Sequence, residues 1–306
     1  MFELTFLGTS AAAPSIHRGL SAQILSYRDQ RFLIDCGEGT QRQILRSGLG
    51  FRRLNRILIT HGHLDHILGL AGLLSTFSRW EAIEKLEIWA GEYAMERIHD
   101  LLFGVVLRGA KPLFELDLRI LEPGLLIEEG DLRVTAFPVT HRGPGCFGFL
   151  FEEREKRPFL ADRADELGIP AGPVRKELVS GKKVRLPDGR RINPDDVLGP
   201  PRRGARFMHV GDCGSTRGLA AFAQDADALV IEATYLSYEA ELANQFGHLT
   251  AAAAAELALE AGVGSLYLTH ISRRYRERDI QAEAEAIFPR TSVARDFDHF
   301  EIRRQE

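Results

Sequence analysis

Three histidines and one aspartate fall within six residues, at His61, His63, Asp65 and His66. Imidazole nitrogen and carboxylate oxygen are donors that suit zinc, and so many on one turn exceed what a single tetrahedral ion can share with the rest of a chain and a water. The run therefore points to two metals. A polar turn that happens to be rich in histidine is the plainer reading of any one pair, but the spacing His-x-His-x-Asp-His is far more specific than a pair. The residues around it say how it is held. Ile57, Leu58 and Ile59 read as a short buried strand. After the motif, Ile67 to Phe77 is expected to be one apolar helix, with Gly69, Leu70, Leu73, Leu74 and Phe77 at helical spacing for core packing.

This pattern, an apolar strand ending in His-x-His-x-Asp-His, resembles the signature of the metallo-β-lactamase superfamily of metal-dependent hydrolases. The resemblance implies a fold and a di-metal site. Further donors then have to come from other strand ends. His141 lies in FPVTHRGPG just past a strand at Leu132 to Phe137, Asp212 follows a strand at Arg206 to Val210, and His270 follows one at Ser265 to Thr269. Collected, His61, His63, His141 and Asp212 make one site and Asp65, His66, Asp212 and His270 the other, with Asp212 between them. Strand ends converge on one rim of a sandwich, so residues this far apart in sequence can meet. Two zinc ions so held suit in-line displacement at phosphorus, which fits phosphodiester hydrolysis. The leaving oxygen needs a proton donor. His248 follows Gly247 at the start of a helix running to Gly262, and Glu232 ends the strand Ala228 to Ala233 as its orienting partner. Asp35, at the end of a strand from Arg31, is placed either to orient a ligating histidine or simply to start a turn. His17, His99, His209 and His299 read as ordinary polar or core residues.

Other strands are expected at residues 2 to 7, 20 to 27, 86 to 90, 116 to 121 and 146 to 152, with helices at 92 to 103 and 278 to 288 and a closing strand near 297 to 302. Strands followed by helices in each half, with no linker seam, give an α/β (α+β) class: an αββα sandwich of two mixed sheets flanked by helices. Composition agrees, being 44% hydrophobic and 27% charged. Cys36, Cys146 and Cys213 form no Cys-x-x-Cys pair, which argues against a thiolate zinc site and a disulfide framework. The apolar run from Ile67 to Ser78 is too short to cross a bilayer and the N-terminus has no basic leader, so a cytoplasmic protein is expected.

Residues 154 to 206 differ in character, with many prolines and glycines and little periodicity, and are read as an arm inserted in a single domain of residues 1 to 306. The net charge is −4, yet Ala171 to Arg206 carries ten Lys/Arg against four Asp/Glu, leaving −10 for the rest.

Taken in order, FLIDCGEGTQRQIL, ILITHGHLDHILGLAGLL, PVTHRGPGCFGFLF, GDC, IEATY, GHLTA and LTHISRRY narrow the resemblance to the ribonuclease Z family, endonucleases that trim the 3′ trailer of precursor tRNA. The basic insertion looks like that family's flexible arm, which binds tRNA away from the active site. A chain of this length matches the short form, a homodimer. The resemblance implies zinc ligands at His61, His63, Asp65, His66, His141, Asp212 and His270, and a base at Asp65 for the attacking water. It also implies the proton-donating pair His248 and Glu232, substrate neighbours at Ser272 and Arg273, and arm contacts at Arg175, Lys176, Lys182 and Lys183. Leu64 and Cys213 depart from the small residue and the threonine usual at those places, and neither removes a ligand. Two other readings remain open. One is a phosphodiesterase or esterase of the same fold acting on small molecules, which would have no use for a basic outrigger. The other is an RNA-binding module with a vestigial site, which would show a missing ligand.

Overall fold

Alternation decides which way each strand faces. In the computed structural model, which describes residues 1–81 and 83–305, Phe32 and Ile34 point to one core while Leu33 between them points to another. Ile57 and Leu58 divide in the same way, as do Phe207 and Met208 in the second sheet. A strand with apolar residues on both faces must be covered on both. Three cores follow: one between the sheets, rich in phenylalanine, and one between each sheet and its helices.

The first sheet contains β1 (Phe2–Gly8), β2 (Ala22–Tyr27), β3 (Gln30–Ile34), β4 (Arg56–Leu58), β5 (Lys85–Ala90), β6 (Glu115–Ile120) and the last strand β16 (His299–Ile302), in the order β16-β1-β2-β3-β4-β5-β6. The second contains β7 (Gly124–Glu129), β8 (Leu132–Pro138), β9 (Phe147–Glu153), β12 (Arg206–His209), β13 (Ala228–Glu232), β14 (Leu266–Thr269) and β15 (Thr291–Val293), in the order β15-β14-β13-β12-β9-β8-β7. Both are mixed. β3 through β6 run parallel, as do β12 through β15, whereas β1, β2 and β16 pair antiparallel. Helices α1 (Thr40–Arg46), α2 (Leu64–Ile67), α3 (Gly69–Trp80) and α4 (Glu92–His99) belong to the first half. The second half has α7 (Ala220–Ala223), α8 (Ala240–Phe246), α9 (Ala251–Glu260) and α10 (Glu277–Glu285). This is the expected αββα sandwich.

Several boundaries differ from expectation. The helix expected from Ile67 begins earlier, at Leu64, and is interrupted at Leu68; the next amide, of Gly69, donates to the Cys36 carbonyl at 2.8 Å, and a Cβ on Gly69 would sit 2.0 Å from the Gly37 oxygen. α4 ends at His99 and continues as a π-helical segment to Leu107. β7 and β15 lie outside the expected set. Both are edge strands, and β7, sequence GLLIEE, shows only Ile127 buried, so it lacks the alternation that marks a half-buried strand.

Residues 153–204 form a compact unit of their own. It holds α5 (Ala161–Glu166), α6 (Pro173–Val179), a two-stranded hairpin of β10 (Val184–Arg185) and β11 (Arg191–Ile192), and a 3-10 turn at Pro194–Asp196. Little periodicity is visible in its sequence, yet Ala164, Ile169, Leu178, Leu186, Ile192 and Val197 gather into a small core. Arg157 ties its two ends by donating to the Leu198 and Gly199 carbonyls at 2.9 and 2.8 Å.

Candidate metal centre

The carboxyl ends of the parallel strands are where side chains from separate strands can meet in front of a sheet. β4 leads into Thr60 and His61, β12 into Asp212, and β14 into His270. Four of the histidines are then oriented through their outer nitrogen. His66 donates Nδ1–H to Asp35 Oδ2 at 2.8 Å, and Asp35, buried and in the left-handed region at φ 58°, also receives the Thr60 amide and hydroxyl. With its hydrogen spent on Asp35, Thr60 Oγ1 accepts from His61 Nδ1 at 3.0 Å. His141 donates Nδ1–H to the Gly247 carbonyl at 2.7 Å. Thr234 donates to Glu232 Oε2 at 2.5 Å and accepts from His270 Nδ1 at 2.9 Å. Four histidines thereby turn Nε2 inward, and with Nδ1–H engaged the neutral ring leaves that nitrogen free for a cation. Asp35 is an orienting group, not a mere turn residue.

The inward atoms converge on Asp212. Its Oδ2 is 3.7 Å from Nε2 of both His61 and His141, while its Oδ1 is 3.4 Å from His66 Nε2 and 3.3 Å from His270 Nε2. Asp65 Oδ2 completes the second group at 3.6 Å from His66 Nε2 and 3.3 Å from His270 Nε2. His63 presents Nδ1, 2.9 Å from His61 Nε2 and 3.3 Å from His141 Nε2. Two donor sets result, His61/His63/His141/Asp212 and Asp65/His66/His270, and the Asp212 carboxylate has one oxygen toward each. His66 Nε2 and Asp212 Oδ1 are buried with no hydrogen-bond partner. Buried polar atoms rarely go unsatisfied, and lone pairs crowded this closely repel, so the donor chemistry fits divalent cations.

Electrostatics carry the same message. Burial and the neighbouring His141 push the His63 imidazole down to about 4, and burial and His66 push His61 well below its ordinary range. Burial opposes a charged His66, but Asp212 and Asp35 outweigh it and hold that ring well above its usual value. Burial raises the thiols of Cys146 to about 11 and Cys213 to about 12, and neither belongs to the donor groups.

His248 stands beside this cluster. It donates Nδ1–H to Glu232 Oε1 at 2.9 Å, and the fully buried Glu232 is itself fixed by the Cys213 amide at 2.6 Å. Burial pulls the imidazole down, yet the Glu232 hydrogen bond and charge prevail and leave it above its ordinary value, a poised acid. Asp212, His248 and His270 also lie close enough to form a ligand group. The Glu232 bond occupies His248 Nδ1, the atom nearest Asp212 at 3.9 Å, so the ring is better placed as a proton donor. Gly247, at φ 68°, ends α8, and a Cβ there would lie 2.9 Å from Arg142 Cγ.

Residues 2–162 match the family described as Anti-Pycsar protein Apyc1, and residues 180–271 match the Beta-lactamase superfamily domain. Over the whole chain the likeness is more specific. It is 47% identical to a ribonuclease Z of Bradyrhizobium diazoefficiens, covering 99% of this chain and 100% of the relative, and 40% identical to one from Gemmatimonas aurantiaca, covering 97% and 95%. The chain belongs to the ribonuclease Z family. Human tRNase Z, short form, superposes with TM-score 0.70 at 27% identity, covering 98% of this chain and 99% of that one. A diphosphatase of the PhnP family superposes at TM-score 0.67 but 17% identity, which speaks for the metallo-β-lactamase fold alone. The Apyc1 match spans the first half only, whereas the ribonuclease Z relatives align from end to end, so the latter decide the family.

Within this ribonuclease Z fold, Ser272 is half-buried and Arg273 exposed, and both line a cavity of about 530 Å³ just past His270. In the 153–204 unit, Lys176, Lys182 and Lys183 are exposed, while Arg175 is engaged internally by Asp165 and by the Ile169 carbonyl at 2.7 Å. His209 is fully buried against Gln23 at 3.0 Å and His299 meets the Thr5 hydroxyl at 3.0 Å, both in keeping with ordinary roles. Sequence reasoning did not find α4's part. Arg97 donates to the Gly62 carbonyl at 2.7 Å, between His61 and His63, and a Cβ on Gly62 would lie 2.9 Å from Ala94 Cα. It also did not find Ala12, whose amide donates to Asp65 Oδ2 at 3.0 Å. The glycine inside the His-x-His triplet is the one signal for the first. It marks a close approach, though not by what.

Proposed function

We propose that this protein is a zinc-dependent endoribonuclease that removes the 3′ trailer from precursor tRNA, leaving a 3′-hydroxyl on the tRNA and a 5′-phosphate on the trailer. The observation that carries it is the end-to-end identity with ribonuclease Z proteins in a chain that brings all its candidate donors together beside a Glu232-held His248. Two zinc ions are the cofactors inferred, with His61, His63, His141 and Asp212 holding one and Asp65, His66, Asp212 and His270 the other. When bound they would ease deprotonation of water and offset the charge that develops on the phosphate oxygens. Asp65, with one carboxylate oxygen held by the Ala12 amide, accepts the proton of the attacking water. Phosphorus gains the water oxygen as its bond to the tRNA 3′ oxygen breaks. His248 delivers its Nε2 proton to that leaving oxygen, while Glu232 keeps the opposite nitrogen and steadies the imidazolium before transfer.

Ser272 and Arg273 border the scissile region. The 153–204 unit grips the tRNA body through Lys176, Lys182 and Lys183, with Arg175 bracing the surface that presents them. Among the described residues no helix is long and apolar enough to cross a membrane. The protein is placed in the cytoplasm, where its substrate is made, and as a homodimer, like the short form it matches in length.

The test is incubation with a precursor tRNA bearing a 3′ trailer, with elemental analysis of the same preparation. About two zinc per chain and a single cut with the stated ends support the proposal. Hydrolysis of small phosphodiesters with no cut in any precursor would assign a small-molecule phosphodiesterase instead.

A further inference from the structure

The cavity beside Ser272 and Arg273 is not the end of the path. It shares Ser15, His17, Arg18 and Asp296 with a second cavity of about 740 Å³, whose far wall carries Arg42, Arg46 and Phe297. The two lie in series, divided by the loop that holds His17 and Arg18. We propose that the second cavity is a subsite for the unpaired 3′ trailer, stacking a base on the Arg46–Phe297 pair; this rests on the ribonuclease reading above.

Size excludes a duplex, since each cavity has the volume that takes one small ligand, about one or two nucleotides. On the 5′ side of the cut the RNA soon enters the paired acceptor stem. Only the trailer offers several unpaired nucleotides in succession, as two cavities in series require. The chemistry suits such a strand. Arg46 Cζ sits 4.9 Å from the centre of the Phe297 ring, and an aromatic face with a stacked guanidinium is a general platform for bases. Arg42 and Arg46 are exposed at a spacing of one helical turn on α1, with no acidic ion-pair partner among the described residues. Glu38 is the exposed acid on that wall; the carboxylate of Asp296 is occupied, accepting from Thr9 Oγ1 at 2.8 Å, Gly19 N at 2.6 Å and Gln43 Nε2 at 2.7 Å.

The wall is also built in advance. Phe297 is held at φ 74°, a costly conformation for a residue with a side chain, by its amide bond to the Phe6 carbonyl at 2.7 Å and by the Phe6 amide to the Asp298 carbonyl at 3.0 Å. Stacking on a ring face does not distinguish bases, so the subsite should accept any base.

The experiment measures KM for precursor tRNAs with trailers of roughly one to eight nucleotides, in the wild type, Phe297→Leu, Arg46→Met and Phe297→Tyr. Loss of one stacked base, about 1–3 kcal/mol, corresponds to about a five- to 150-fold change. The wild-type ratio of KM between the shortest and longer trailers should have about that size, fall toward unity in Phe297→Leu and Arg46→Met, and persist in Phe297→Tyr. A ratio near unity in the wild type, or one that all variants retain, overturns the proposal. Equal losses on every trailer length also overturn it and place the acceptor end in this cavity. Fluorescence anisotropy with a 5′-phosphorylated unpaired oligoribonucleotide separates the two readings. If the wild type cuts no precursor, the ribonuclease reading fails, while binding that Phe297→Leu abolishes keeps the subsite. Binding indifferent to Phe297→Leu removes it.

Discussion

Replacing Glu232 by glutamine removes a buried charge while keeping one oxygen for the Cys213 amide and His248 Nδ1–H. Thr234 can turn its hydrogen to the His270 carbonyl, 3.1 Å away, and accept from the new amide, so the fold has a way to absorb the change. What is lost is the charge assistance to His248. A hydrogen bond to a charged group contributes about 1.5–3 kcal/mol, so removing that charge should lower the pKa of the imidazole. Its raised pKa owes chiefly to Glu232, aided by Asp212, working against burial, so without the Glu232 charge burial pulls it down. The sign follows directly. His248 must be protonated to act, so the alkaline limb of kcat should move to lower pH. The variant should lose about ten- to a hundredfold near pH 8 and much less near pH 6. Single-turnover rates across that range, on a normal precursor and on one with a 3′-bridging sulfur that departs without a proton, make the assay. Equal losses at all pH values, or equal losses on both substrates, would refute the acid role and leave Glu232 a merely structural residue.

Arg97→Met should weaken metal binding about tenfold in chelator competition, as changes to outer partners of ligands do, with Arg97→Lys recovering part of it. Metal loading near pH 7 should release about one proton from His66, because Asp212 and Asp35 outweigh burial and keep it charged in the cation-free protein; calorimetry in buffers of different ionisation heat reads this. Replacing residues 158 to 202 by a short Gly/Ser linker should raise KM for precursor tRNA and flatten its salt dependence, while a small chromogenic phosphodiester is still hydrolysed. Unchanged KM would mean that the unit contributes nothing to tRNA binding.

The cluster of candidate donors was legible because its chemistry is written locally: a contiguous run of donors, or a lone histidine or aspartate directly after an apolar strand. The sandwich was legible for a related reason, since strands buried on both faces and separated by helices leave few other architectures. What escaped depends on contacts between distant residues. Thr60 and Thr234 are ordinary threonines until a carboxylate takes their hydrogens and a histidine uses their oxygens. Arg97 is one basic residue on a helix until Gly62 comes within reach. The small core of residues 153–204 escaped because its apolar members come from two short helices, a hairpin and turns, too short for any period to repeat.

The central claim is that water attacks phosphorus at a metal-holding centre and that the tRNA 3′ oxygen leaves as a hydroxyl. One measurement addresses it: single-turnover cleavage of a precursor tRNA in ¹⁸O-labelled water, with mass analysis of both products and a chelator-treated control. Attack by water on phosphorus places one labelled oxygen in the 5′-phosphate of the trailer and leaves an unlabelled 3′-hydroxyl on the tRNA, with no cutting after chelation. A 2′,3′-cyclic phosphate on the tRNA, label on its 3′ end, or cleavage that survives complete metal removal would contradict it.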